Sequence, residues 1–225
     1  MLNSNEIITT FKFLMEKKFT YSYAHFGPFL FKTKINNALL SFLSDKSNDL
    51  KESYNSELAG HLENQFIFPK EVQNSFYQQF IPYIEAYRSA HCEYFSLDKK
   101  IPVSISATDL WVNFMKPGDF NPIHTHGSDL SFVIFLDVPK EIHDEAKRFD
   151  GRSTPPGSIF FVYGQPSKTK WMKTTNNFLP NTGDVFIFPS LLQHWVAPFK
   201  SEVTRISVSG NIHFTNKESW PKGHF

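Results

Sequence analysis

Apolar side chains recur at helical spacing in the first hundred residues. From Ile35 to Leu43 they return every three or four positions, which predicts a short amphipathic helix. Pro69 opens a second stretch of this kind, which continues to Tyr87. Pro82 lies inside it, and because proline cannot donate to the helical ladder, we expect a kink or a division into two helices. Residues 1–100 are therefore predicted to be mainly helical.

From Pro102 onward the pattern changes to short apolar runs separated by proline, glycine and polar residues. Successive strands without intervening helices favour an antiparallel sandwich or jelly roll over a doubly wound sheet. The charged segment from Lys140 to Pro156 is predicted to be a surface loop or insertion. The predicted fold is mainly β with N-terminal helices: residues 1–100 pack on a barrel formed by residues 101–225, in one domain. The predicted strands are Asp109–Met115, Asp129–Val138, Ser158–Tyr163, Asp184–Phe188, Gln193–Pro198 and Val203–Phe214.

The last predicted strand alternates between polar and apolar residues, and side chains two apart share a face. We expect the N-terminal helices to cover the apolar face, which carries Ile206, Val208 and Ile212. The other face then meets water or lines a polar cavity. Its residues are Arg205, Ser207, Ser209, Asn211 and His213.

Composition narrows the classes of partner. The net charge is +1 and no basic block with interleaved aromatics occurs, so the sequence predicts no nucleic-acid partner and favours a small molecule. The single cysteine, Cys92, fits a reducing compartment. No run has the length of a membrane span and the N-terminus lacks a signal-peptide pattern, so we expect a cytoplasmic protein that does not bind membranes.

The candidate chemistry begins with His124 and His126. In an extended segment residues two apart point to the same side, so both imidazoles can reach one metal ion, although paired histidines also occur in surface loops. His194 follows an apolar strand, and a lone histidine in that position is more often a packed core residue. The pattern alone leaves both interpretations open.

Arg205 and Ser207 suit a carboxylate, because guanidinium binds it through two hydrogen bonds and the hydroxyl can add a third. An exposed strand face is the alternative interpretation. If the chain turns symmetrically around Phe199 and Lys200, His194 and Arg205 face each other across adjacent strands of a hairpin. A metal ligand and a carboxylate anchor would then be neighbours.

Taken in order, these motifs resemble the iron(II)- and 2-oxoglutarate-dependent dioxygenase superfamily, in its phage and bacterial prolyl-hydroxylase-like branch. The resemblance spans roughly residues 55–214 and implies a double-stranded β-helix, a cupin-like jelly roll with the metal at one open end. It would place the protein in the host cytoplasm if the source is viral. The matching residues are Trp111-Val-Asn113, His124-Thr-His126 with Ser128, Ser131-Phe-Val-Ile, Gly183-Asp-Val-Phe-Ile-Phe-Pro-Ser190, His194-Trp-Val-Ala-Pro-Phe, Arg205-Ile-Ser-Val-Ser-Gly-Asn211 and, ahead of the barrel, Ser56 to Gln65.

The resemblance also implies ligand roles. His194 matches the distal histidine ligand, but His126 stands where most of the superfamily has a carboxylate. A three-histidine iron site, a site of His126 and His194 completed by water, and a site that includes Asp129 all remain open. We favour His126 and His194, with His124 as the third ligand, over Asp129. Binding of 2-oxoglutarate is predicted for Arg205, Ser207, Asn113 and Ser131.

The expected activity is hydroxylation of a C–H bond with Fe(II), 2-oxoglutarate and O2, ascorbate serving as reductant, and no catalytic residue beyond the metal and cosubstrate ligands. The substrate is not identified; a prolyl or other peptide residue is one candidate, a protein or small molecule another. Trp111, Phe132 or Phe160 could shield the site. Two alternatives are a non-catalytic cupin-like metal-binding or virion-associated protein, and a three-histidine dioxygenase that does not use 2-oxoglutarate.

Overall fold

The computed structural model describes residues 27–97, 104–164 and 173–215, which contain three α-helices and ten strands. The helices are α1 (Asn37–Lys46), α2 (Lys70–Phe95) and α3 (Lys140–Arg148). The strands are β1 (Phe31–Lys34), β2 (Asn64–Ile67), β3 (Ile105–Met115), β4 (Asn121–His124), β5 (Leu130–Asp137), β6 (Ile159–Val162), β7 (Thr175–Phe178), β8 (Asp184–Pro189), β9 (Gln193–Val196) and β10 (Arg205–Phe214).

The strands form two antiparallel sheets. The large sheet has the order β1-β8-β5-β10-β3-β2, and the small sheet has the order β4-β9-β6-β7. One apolar cluster lies between the large sheet and helices α1 and α2, and a second lies between the two sheets. The predicted mainly β architecture with N-terminal helices is confirmed.

Both N-terminal helices pack on the large sheet. α1 begins after Asn36, whose side chain accepts a hydrogen bond from the Leu39 N–H at 2.8 Å. α2 is a single helix that contains Pro82, so of the two predicted outcomes, a kink or a division, the division is wrong. Pro82 lies on the exposed face, where water can satisfy the carbonyl that loses its partner. Phe76 and Ile84, on either side of it, are buried in the same cluster.

The prediction of a loop from Lys140 to Pro156 is also wrong at its start, where α3 forms. This helix is mostly charged, and its one buried side chain is Ile142, which lies in the apolar cluster between the sheets. The Glu145 carboxylate accepts hydrogen bonds from the backbone N–H groups of Lys200 and Ser201 at 2.8–3.0 Å. A single anchor in a charged run is too weak a pattern to predict a helix from sequence.

The predicted strands are present, with boundaries that shift by at most four residues. The four short strands β1, β2, β4 and β7 were not predicted. The alternation of β10 is confirmed, since Val208 and Ile212 belong to the cluster under the helices. Among the described residues, no helix has the length and apolar composition needed to cross a membrane.

The expected hairpin between His194 and Arg205 does not form. β9 pairs with β4 and β6 in the small sheet, whereas β10 pairs with β3 and β5 in the large sheet. The chain between them crosses from one sheet to the other, and the buried Phe199 fills the space between the layers. His194 and Arg205 therefore approach the same cavity from opposite walls of the barrel.

Candidate metal and cosubstrate site

Three imidazoles meet at one end of the barrel. β4 supplies His124, the loop after it supplies His126, and β9 supplies His194, which is the register partner of His124. The ring centroids of His124 and His194 are 4.2 Å apart, those of His124 and His126 are 4.9 Å apart, and those of His126 and His194 are 5.2 Å apart. One nitrogen from each ring lies within 4.8 Å of the other two, so the group could hold one metal ion.

Backbone carbonyls orient two of the rings. Nδ1 of His124 is 2.7 Å from the Pro122 carbonyl oxygen, and Nδ1 of His194 is 2.8 Å from the Leu192 carbonyl oxygen. Because a carbonyl can only accept, the hydrogen must be on Nδ1 of each ring, and Nε2 keeps its lone pair. This is the tautomer that a metal ligand requires.

Burial keeps the three imidazoles neutral. Burial, with a smaller contribution from the neighbouring histidines, lowers the pKa of His194 to about 3 and that of His126 to about 4. Burial also lowers the pKa of His124. Three neutral imidazoles that lie close together are suited to bind a metal cation.

Asp129 is directed away from this group. Its Oδ2 accepts a hydrogen bond from the Phe214 N–H at 2.8 Å and lies 3.9 Å from Nδ1 of His213. Among the described residues that line the cavity, none is acidic. The geometry thus brings together the three predicted histidines and leaves Asp129 outside.

Arg205 extends into the same cavity and is buried, with 3% of its surface exposed. Its guanidinium donates to the Gly157 carbonyl oxygen and to Sδ of Met115, both at 2.8 Å, and lies 5.3 Å from the Phe135 ring centroid. Nε has no partner, and no described carboxylate pairs with the group. Burial lowers the pKa of Arg205 to about 10, so it remains a cation. A buried cation without a counter-charge indicates an anionic ligand.

A row of polar side chains crosses the large sheet beside Arg205. Ser207 on β10 is the register partner of Asn113 on β3, which is the register partner of Gln65 on β2. All three are buried and line the cavity. The sequence predicted a cosubstrate-binding role for Ser207 and Asn113. It predicted none for Gln65, because only the pairing of β2 with β3 places that residue here.

Ser131 lines the cavity, but its hydroxyl is engaged by other side chains. It lies 2.8 Å from the Ser190 hydroxyl and donates to Oδ1 of Asn211 at 2.7 Å. Ser190 is 2.5 Å from the Ser128 hydroxyl, and its carbonyl oxygen accepts from the His126 N–H at 2.9 Å. This network holds the His126 loop, a role that the sequence did not predict for Ser190. The assignment of Ser131 to cosubstrate binding stays a prediction.

Of the three aromatic residues considered as a shield, two line the cavity. Trp111 is buried and its ring centroid is 6.1 Å from that of His126. Phe132 lies between the cavity and the helices, 4.7 Å from Phe80. Phe160 packs instead on Trp195 at 5.5 Å and is not among the lining residues. Ahead of the barrel, the chain adds further apolar lining from Leu58, Ala59, Gly60 and Leu62.

The two-sheet antiparallel barrel holds three neutral imidazoles and a buried arginine without a carboxylate partner in one cavity. These features define the class of the protein as a metal-dependent enzyme that binds an anion. Residues 109–211 match the family described as "Putative 2OG-Fe(II) oxygenase". This matched part contains the three histidines and Arg205. The chain is accordingly an oxidoreductase whose cofactor is Fe(II) and whose cosubstrates are 2-oxoglutarate and O2.

Solved structures show the same fold at low sequence identity. An oxidoreductase of the 2OG-Fe(II) oxygenase family from Burkholderia pseudomallei is 13% identical with a TM-score of 0.52, over 82% of this chain and 84% of that one. A Pseudomonas putida prolyl-4-hydroxylase is 14% identical with a TM-score of 0.51, over 83% and 93%. These similarities confirm the predicted jelly roll. No curated protein sequence matches the chain.

Proposed function

We propose that the protein hydroxylates a C–H bond of a peptide residue, and that a prolyl residue is the first substrate to test. Arg205 is the observation that carries the proposal: a buried guanidinium with an unpaired Nε faces the cavity that contains the three imidazoles. 2-Oxoglutarate has a free carboxylate for such a cation and a keto-acid end for a metal.

The donor set is consistent with iron. Imidazole nitrogens suit Fe(II) and neighbouring transition metals, whereas Mg²⁺ and Ca²⁺ prefer oxygen ligands. We propose His126 and His194 as ligands and His124 as the third, which the distances among the three rings favour. Completion of the site by water instead of His124 is the alternative, and the contacts of Asp129 with Phe214 and His213 argue against a carboxylate ligand.

Residues of the chain would bind 2-oxoglutarate and would shield the metal from water. Arg205 and Ser207 would bind the carboxylate of 2-oxoglutarate that is remote from the metal. The buried Trp111 and Phe188 would keep water from the metal end, since Phe188 lies 4.7 Å from the His194 ring. Bound Fe(II) would supply the oxidative chemistry, in which O2 is the oxidant: one of its oxygen atoms enters succinate as 2-oxoglutarate loses CO2, and the other converts a substrate C–H bond to C–OH.

The first test is succinate formation by purified protein with Fe(II), ascorbate and 2-oxoglutarate under air, with and without a proline-rich peptide. We expect His194→Ala and Arg205→Ala each to reduce turnover by at least about 100-fold, because each removes a charge-assisted or metal contact. His143→Ala, on α3 outside the cavity, is the control and should leave turnover unchanged. Wild-type rates in His194→Ala would overturn the proposal.

The absence of an acidic residue from the described cavity lining favours coordination of the metal by three histidines. Arg205→Lys tests the use of 2-oxoglutarate at such a site, because lysine keeps the charge but cannot bind a carboxylate through two parallel hydrogen bonds. The peptide substrate is suggested by the activity named for the Pseudomonas putida structure. A cytoplasmic location, and action without nucleic acid or membrane, stay predictions.

A further inference from the structure

Gln65 occupies the end of the polar row that starts beside Arg205, and the fold holds its backbone firmly. Its N–H donates to Oδ1 of Asn55 at 3.1 Å and its carbonyl oxygen accepts from the Tyr54 N–H at 2.8 Å. The side chain is buried, with 2% exposed, and reaches across to the neighbouring strand β3. Gln65 lies ahead of residues 109–211, which match the family.

The contact between Gln65 and Asn113 has a defined polarity. Nε2 of Gln65 donates to Oδ1 of Asn113 at 2.7 Å, a short hydrogen bond between buried groups. The Asn113 amide nitrogen is therefore directed to the other side, towards β10. There it is 3.5 Å from the Ser207 carbonyl oxygen and 3.5 Å from the Ser209 hydroxyl. If the Asn113 amide turned over, its oxygen would face the Ser207 carbonyl oxygen, which is unfavourable.

The Asn113 amide nitrogen is thus buried and only weakly bonded, because contacts of 3.5 Å are at the limit of a hydrogen bond. It adjoins Ser207, which faces the cavity next to Arg205. A buried donor of this kind favours an acceptor from the cavity, and a carboxylate is the strongest acceptor available.

Gln65 itself has an unpaired acceptor, whereas Asn113 has a weakly bonded donor. Its Oε1 is buried and has no hydrogen-bond partner among the described residues. A carbonyl oxygen cannot bond to a carboxylate, so this atom is unsuited to 2-oxoglutarate. Oε1 therefore cannot bind that anion, and the contact that connects Gln65 to the carboxylate site is its hydrogen bond to Asn113.

We infer that Gln65 is a positioning residue for the cosubstrate: by occupying Oδ1 of Asn113 it turns the Asn113 amide N–H groups towards the carboxylate site beside Arg205 and Ser207. The inference rests on the proposed use of 2-oxoglutarate. This role would make β2, which lies ahead of residues 109–211, a necessary part of the cosubstrate pocket.

The test is a double-mutant cycle of Gln65→Met and Asn113→Leu, two changes that remove hydrogen bonding at similar volume. 2-Oxoglutarate is titrated without oxygen into the Fe(II)-loaded protein, and the visible absorption band of the complex gives both the affinity and the band position. Gln73→Met is the matched control. Gln73 is another buried glutamine, 3% exposed, whose Nε2 donates to the Phe68 carbonyl oxygen at 2.7 Å within the helix layer.

We expect Gln65→Met to weaken 2-oxoglutarate binding about tenfold and to shift the band, the size of effect of one hydrogen bond to a charged group. In the Asn113→Leu background it should have no further effect. Gln73→Met should lower stability but leave affinity and band unchanged. Unchanged affinity in Gln65→Met, or an equal loss in both backgrounds, overturns the inference alone. Failure of the wild-type protein to bind 2-oxoglutarate overturns the proposed function, and this inference falls with it.

Discussion

The two sides of the large sheet treat buried polar groups differently. On the side covered by α1 and α2, buried polar side chains are satisfied: the Gln73 amide, for example, bonds to the Phe68 carbonyl oxygen and to Lys70. On the cavity side, Arg205 Nε and Gln65 Oε1 have no partner among the described residues. Ser158 Oγ, the other buried atom of this kind, adjoins Gly157, whose carbonyl oxygen binds Arg205.

The difference separates the parts of the molecule that stabilise it from the parts that bind. Buried polar groups without partners cost about 1–3 kcal/mol each, so a fold retains them where a ligand can satisfy them. The helix-covered side should therefore determine the free energy of unfolding, and the cavity side should determine ligand affinity. Substitutions on the two sides can break this comparison or sharpen it.

The largest effect on stability is expected for Leu39→Ala on the helix-covered side. Leu39 is fully buried in the apolar cluster, and truncating such a leucine leaves a cavity that costs about 2–5 kcal/mol. Urea denaturation measures the loss, and Ile81→Ala, at a side chain that is 46% exposed, should change stability by less than about 0.5 kcal/mol. Affinity of the folded variant for 2-oxoglutarate should be unchanged; a loss there would mean that the two sides are coupled.

A smaller and pH-dependent effect is expected for Asp184→Asn on β8 of the large sheet. The Asp184 carboxylate is buried and lies 2.9 Å from Nζ of Lys34 and 3.3 Å from Nζ of Lys32. Burial by itself raises the pKa of this carboxyl, but the hydrogen bonds from Lys34, the Asn181 N–H and Lys32 outweigh it and hold the pKa below its usual value. The charged form is thus favoured by folding.

The sign of the pH dependence follows from that shift. A carboxyl whose pKa is lower in the folded state stabilises the protein above its unfolded pKa of about 4, and this contribution is lost as the pH falls through the folded pKa. Asp184→Asn should therefore cost about 1–3 kcal/mol near neutral pH, and progressively less below about pH 4. Unfolding curves at several pH values measure this, with the exposed Asp137→Asn as control. A constant difference between pH 7 and pH 3 would contradict it.

Local patterns predicted the parts of this fold that depend on local geometry. The alternation of β10 correctly placed Val208 and Arg205 on opposite faces of the strand, because side chains two apart share a face whatever the strand's neighbours are. Pairing is not local, and so the sequence led to a hairpin between His194 and Arg205 that the structure replaces with a crossing between sheets. The role of Gln65 was missed for the same reason, since it depends on the neighbour that β2 acquires.

The smallest effect on stability, and the sharpest comparison, is expected for Arg205→Met. Methionine fills a similar volume and removes a buried cation that no described carboxylate neutralises, so the desolvation it relieves offsets the lost hydrogen bond to Gly157. Without ligand, the free energy of unfolding should stay within about 1 kcal/mol of the wild-type value. Affinity of the Fe(II)-loaded protein for 2-oxoglutarate should nevertheless fall at least about 100-fold.

Arg88→Met is the control for this substitution, because Arg88 lies on α2 and pairs with Glu85 at 2.8 Å outside the cavity. It should alter neither stability nor affinity by a measurable amount. Destabilisation of the unliganded Arg205→Met protein by about 3 kcal/mol or more would mean that the guanidinium serves the fold. A stable variant that no longer binds the anion would mean that burial of this charge is retained for the ligand, at a position where the fold itself gains little from it.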